Sequence, residues 1–140
     1  MTDVAAAFPN TQRSTVLRVL RNLRADPVII RWAEGWLSDR KIEMTLDGIT
    51  GLPRSAGTGI PQGSPVSPVL FRLVCAAALK QLPMGASFVD DCSWFIRFTS
   101  QADLQAQTTQ LLDSVRAIFA ANGLTIDTDK LEAAFFARKA

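Results

Sequence analysis

Histidine is absent from this 140-residue sequence, and with it goes every mechanism built on an imidazole base or ligand. Cysteine is scarce: Cys75 and Cys92 are the only two, each among apolar neighbours. A disulfide framework would need more in a chain of this size, so both are expected as buried free thiols. Neither sign of charge is in large excess, since 15 Lys and Arg against 13 Asp and Glu leave a net charge of +2. That balance neither marks nor excludes a nucleic-acid binder. Long apolar runs are missing too. The longest, Val69 to Leu79, is broken by Arg72 and is too short to span a bilayer. Asp3 interrupts any apolar start, so no signal peptide is read, and a soluble intracellular protein of nucleus or cytoplasm is expected.

What is present fits a folded domain. A hydrophobic fraction of 48% with 20% charged residues excludes disorder, and the length favours one domain, residues 1–140, with a sizeable core. A short strand is expected from Thr2 to Phe8, ending at Pro9 and Asn10. A helix follows from about Ser14 with Val16, Leu17, Leu20 and Leu23 on one face. Asp26 and Pro27 read as the cap and first-turn proline of a second helix carrying Ile29, Ile30, Trp32, Ala33, Trp36 and Leu37. Arg40 to Leu46 alternates, and Asp47-Gly48 signals a hairpin. Gly51 to Pro68, rich in Gly, Pro and Ser, reads as a loop.

The second half alternates in the same way. Val69 to Leu79 has helical spacing, and Ala86 to Phe98 reads as two strands around Asp90-Asp91. Ser100 with Asp103 resembles a capping box that opens a long helix, stopped at Asn122-Gly123. Leu124 to Ile126 and Leu131 to Phe136 are expected as closing strands. The order predicts an α+β fold, an antiparallel sheet with helices packed on one face.

The chemistry is concentrated in Phe88-Val89-Asp90-Asp91, two acids between apolar strand formers. Asp-Asp is a poor two-residue hairpin loop, since neither position supplies glycine. Like charges ~4 Å apart repel by about 4 kcal/mol at an effective dielectric of ~20, so the pair calls for a cation or a shared proton. Without histidine, the natural counter-ion is hard and oxygen-loving: Mg2+, or Mn2+ in its place. Asp3 lies in a similar apolar context and completes a carboxylate cluster if its strand lies beside the Asp90-Asp91 hairpin. Three such acids holding two metals suit phosphoryl transfer.

The segment GIPQGSPVSPVLF, Gly59 to Phe71, resembles the signature of reverse transcriptases of non-LTR retrotransposons and group II introns. DVAAAFPN at Asp3 to Asn10 resembles that family's first aspartate motif. SFVDDCSWFI at Ser87 to Ile96 resembles its aspartate-pair hairpin, and GLTIDTDKLEAAFF at Gly123 to Phe136 resembles its lysine motif. WAEGWLSDRKIEMTLDG, Trp32 to Gly48, is similar to the family's helix and hairpin between the first two motifs. The resemblance covers nearly the whole chain and implies a polymerase palm that adds deoxynucleotides to a primer 3′-end.

By that resemblance Asp3, Asp90 and Asp91 bind the metals, with the Val4 carbonyl as an added ligand. Phe8 stands at the steric gate against a 2′-hydroxyl, while Pro61, Gln62 and Gly63 line the nucleotide pocket. Lys130 sits near the pyrophosphate leaving group as general acid or electrostatic partner. Implied partners are an RNA template, a DNA primer, deoxynucleoside triphosphates and the remaining parts of a retroelement polyprotein. Relative to the family pattern, fingers and thumb are missing, the palm is expected to be truncated at both ends, and the connection from Phe71 to Phe88 is short. A catalytically inactive retroelement remnant, or a nucleic-acid or protein interaction module, is the competing expectation. Arg18, Arg21 and Arg24 share a helix face that reads as solvated.

Overall fold

The computed structural model describes residues 2–82, 85–88 and 91–136. They fall into two units, residues 1–7 with 75–140 and residues 8–74.

The first unit is built on a four-stranded antiparallel sheet. Its strands are β1 (Thr2–Val4), β6 (Gly85–Phe88), β7 (Asp91–Trp94) and β8 (Ile126–Asp127), in the order β6-β7-β1-β8. Register follows burial. Thr2 opposes Cys92 and Val4 opposes Ile126, and all four side chains are buried. Residues directly opposite in an antiparallel pair share a face, so these four define the covered side. Trp94, two residues beyond Cys92, lies on that side and meets Phe119 edge-on at 6.3 Å between ring centroids. Phe119 belongs to α5 (Gln101–Ala121) and is fully buried. Gly85 lies beneath Trp94, where an added Cβ would come within 2.9 Å of the indole nitrogen and 3.2 Å of Leu79 Cδ2. Cys75 and Cys92 are buried and free, as expected.

α5 begins where the capping signal predicts. Ser100 Oγ accepts from the Asp103 N–H at 3.2 Å, but Asp103 reaches back to Thr99, whose N–H it accepts at 2.9 Å. Gly123, at φ +69, ends the helix.

The second unit holds α2 (Arg13–Asn22) and α3 (Pro27–Trp36). Val16, Leu17, Val19 and Leu20 form the buried stripe of α2, while Leu23 is half exposed at its end. Asp26 caps α3, accepting from the Val28 N–H at 2.7 Å. The expected hairpin is β3 (Thr45–Leu46) with β4 (Ile49–Thr50). Its turn residues Asp47 and Gly48 both have positive φ, +51 and +77, which matches the right-handed twist of the strands. β2 (Lys41–Ile42) pairs with β5 (Arg54–Ser55) inside the stretch read as a loop. The helix α4 (Ser67–Leu79) starts two residues before the predicted Val69 and contributes to both units.

Three elements differ from expectation. The first strand stops at Val4 because Ala6 adopts φ +44, and a short helix, α1 (Ala7–Asn10), follows. Pro9 is tolerated there because first-turn N–H groups have no intrahelical partner. Phe95 to Phe98 leave the sheet after Trp94. Leu131 to Phe136 form no strand; Phe135 and Phe136 are exposed, and strand propensity without pairing to a neighbouring strand does not make a strand. Among the described residues no helix is long and apolar enough to cross a membrane.

Candidate active site

The other face of the four-stranded sheet carries the acids. Asp3 is central: it opposes Asp91 of β7 on one side and Asp127 of β8 on the other. Because directly opposed residues share a face, Asp91, Asp3 and Asp127 form a row across three strands, opposite the buried Thr2-Val4-Cys92-Ile126 side. Alternation along β1 compels this arrangement: once Thr2 and Val4 are buried, Asp3 must point away from them. Asp90 lies outside the described residues.

Asp3 is held asymmetrically. Its Oδ2 accepts from Lys130 Nζ at 2.7 Å, while its Oδ1 is buried with no hydrogen-bond partner. Asp127 Oδ2 is 3.8 Å from the same ammonium. The lysine is delivered by a 3₁₀ turn, Thr128–Lys130, which Asp127 itself caps by accepting from the Asp129 N–H at 3.1 Å. Thr2 Oγ1 donates to the Asp127 carbonyl at 3.2 Å and fastens β8 to β1.

Among the described residues no group of three or more His, Cys, Asp or Glu is arranged to hold a metal ion. The donor chemistry still fits a hard cation. Asp3 and Asp91, two of the three expected ligands, face each other in register, and a buried carboxylate oxygen without a donor is the kind of group a cation satisfies.

The residues expected to line a nucleotide pocket lie in the other unit, in a segment held by backbone contacts. Gly59, at φ +74, packs so closely that an added Cβ would lie 2.6 Å from the Pro9 carbonyl oxygen and 2.8 Å from that of Phe8. The Ile60 N–H donates to the Phe8 carbonyl at 2.9 Å. Arg40 Nη2 donates to the carbonyls of Thr58 at 2.8 Å and Gly59 at 2.5 Å. Further along, the buried Ser67 hydroxyl donates to the Pro61 carbonyl at 2.5 Å. Pro61 is half-buried, and Gln62 and Gly63 are exposed. Nothing lies within 4 Å of a Cβ added at Gly63, so glycine is required there by its φ of +83 rather than by a close approach. Phe8 is half-buried, its ring 5.4 Å from that of Phe71.

Two residues escaped the sequence reading. Asp127 was legible in principle, because Leu124 and Ile126 are buried and the next residue must face the other way. Arg40 carried no such signal; its role depends on carbonyls 18 and 19 residues away.

An antiparallel sheet with helices on one side and paired acids on the other is the α+β arrangement expected of a polymerase palm. The family model for reverse transcriptase (RNA-dependent DNA polymerase) matches residues 1–139, and the chain belongs to that family. It is also similar to the retrovirus-related Pol polyprotein from a type-2 retrotransposable element of Drosophila melanogaster. The two are 26% identical over 134 residues, 91% of this chain and 13% of that protein.

Proposed function

We propose that the chain is the palm of a retrotransposon RNA-directed DNA polymerase, working by two-metal nucleotidyl transfer to a primer 3′-end. The observation that carries this is the register of Asp3 against Asp91 on the face of the sheet opposite its core. Asp3, Asp90 and Asp91, with the Val4 carbonyl, would hold Mg2+, or Mn2+ in its place. Cations held there would supply activation of a 3′-hydroxyl and neutralisation of charge on the leaving pyrophosphate. The phenyl ring of Phe8 crowds a ribose 2′-hydroxyl and so favours deoxynucleotides. Pro61, Gln62 and Gly63 line the nucleotide pocket, with the exposed Gln62 amide free to reach sugar or base. Lys130 supplies a positive charge, or a proton, toward the pyrophosphate. Template RNA, primer DNA and the other segments of a polyprotein are the partners in this reading. Similarity to a retrotransposon Pol polyprotein supports it.

Primer extension on an RNA template with Mg2+ or Mn2+ tests the proposal. The wild-type chain is expected to extend the primer. Asp3→Asn and Asp91→Asn are expected to reduce product at least about a hundredfold, the scale on which losing one electrostatic stabiliser acts. Equal product from wild type and both variants contradicts the role of the two acids. No product from any of them contradicts polymerase activity and favours a retroelement remnant or an interaction module.

A further inference from the structure

We propose that Lys130 is the resident counter-ion of the acidic face, holding Asp3 in the cation-free state and competing with an incoming divalent cation for the same carboxylate. Asp127 is its positioning residue. The inference rests on the reading of Asp3 as a cation ligand and concerns what occupies that ligand beforehand.

Three observations carry it. The ammonium is 2.7 Å from Asp3 Oδ2, so a cation using that oxygen must displace it. The contact is between residues 127 apart in sequence, and it depends on the short turn that Asp127 both caps and faces. Finally, the Lys130 side chain is 63% exposed whereas that of Asp3 is 20% exposed. Water can take over the ammonium at little cost, because an exposed ion pair is weak. Asp3 has no such recourse: with one oxygen on Lys130 and the other buried without a donor, it is incompletely satisfied. A divalent cation satisfies it better than the lysine does. Asp3 and Asp127 are thus bridged by an internal charge until a stronger one replaces it, and the displaced lysine is released for another anion.

Mn2+ binding to the whole chain, measured by electron paramagnetic resonance of the free ion, tests the exchange. Lys130→Met removes the competitor and is expected to bind Mn2+ roughly two- to fivefold more tightly than wild type, in line with the modest strength of an exposed pair. Lys130→Arg keeps the charge and is expected to stay close to wild type. Mn2+ should also raise the Tm of Lys130→Met more than that of wild type. Unchanged or weaker binding by Lys130→Met, with binding lost in Asp3→Asn, overturns the counter-ion role and leaves Asp3 a ligand. Binding by Asp3→Asn equal to wild type overturns the reading of Asp3, and the counter-ion role with it.

Discussion

The acidic face of the sheet and the Gly59–Gly63 loop both match the family's motifs, yet they hold their residues by opposite means. On the sheet, backbone register sets position and the side chains are left to do chemistry: Asp3, Asp91 and Asp127 align because strands pair. In the loop, backbone carbonyls and positive φ set position, and the glycine and arginine serve geometry: Gly59 packs against Phe8 and Pro9, and Arg40 ties down two carbonyls. A motif residue can therefore matter for opposite reasons. Changing a sheet acid should alter function with the fold intact, whereas changing Gly59 should alter the fold first.

The largest expected effect is at Gly59. Gly59→Ala places a Cβ against two backbone oxygens at positive φ, and a loss of about 3 kcal/mol is expected from combined strain and overpacking. Chemical denaturation measures it. A loss below about 0.5 kcal/mol, typical of a surface substitution, would erase the contrast. Arg40→Met should cost about 1–3 kcal/mol, since it removes a charged donor from two carbonyls. Backbone hydrogen exchange should quicken at Ile60, whose N–H bonds to Phe8, while β1 is unaffected.

On the sheet, Asp91→Asn should leave stability within about 0.5 kcal/mol of wild type. Removing one of two opposed like charges offsets whatever is lost, so unfolding free energy and primer extension should part company. A large destabilisation would mean that the acid is structural.

The smallest effect is a pH dependence at Asp103. Hydrogen bonds from the Gln107 side chain, first, and from the Thr99 N–H hold its carboxyl below the usual aspartate range. A lowered folded-state value means that its contribution is full above the unfolded value of about 3.9 and is lost as pH falls through the folded value. Thermal unfolding followed from pH 5 downward should decline less steeply in Asp103→Ala than in wild type. Identical slopes would remove Asp103 from the account.

How much of this was legible depended on whether local pattern or distant pairing decided the outcome. Asp26, Ser100 and the Asp47-Gly48 turn were readable because caps and turns act over a few residues. The apolar flanks of Asp3 and Asp91 pointed to strands, and the structure pairs these directly. The burial expected of the flanks does not hold for Phe88, which is exposed with the rest of β6. The family resemblance is likewise carried by the sequence itself, in Gly59 to Phe71. The strand expected from Leu131 to Phe136 does not form, since these residues pair with no other strand, and the first strand was cut short by a positive φ at Ala6. β5 hid in a stretch of Gly, Pro and Ser because its two residues form a strand only through pairing with β2. The Asp3–Lys130 contact joins opposite ends of the chain, a distance over which spacing carries no signal.

The central proposal is that the row of acids on the sheet, and not the chain's other carboxylates, would bind a divalent cation. Paramagnetic broadening of backbone amide resonances on titration with Mn2+ tests it without reference to catalysis. The account predicts early loss of signal at Thr2 to Val4, Asp91, Cys92, Ile126 and Asp127, and retention at Glu34, Asp47 and Asp113. Broadening centred on those other acids, or spread evenly over all of them, would contradict it.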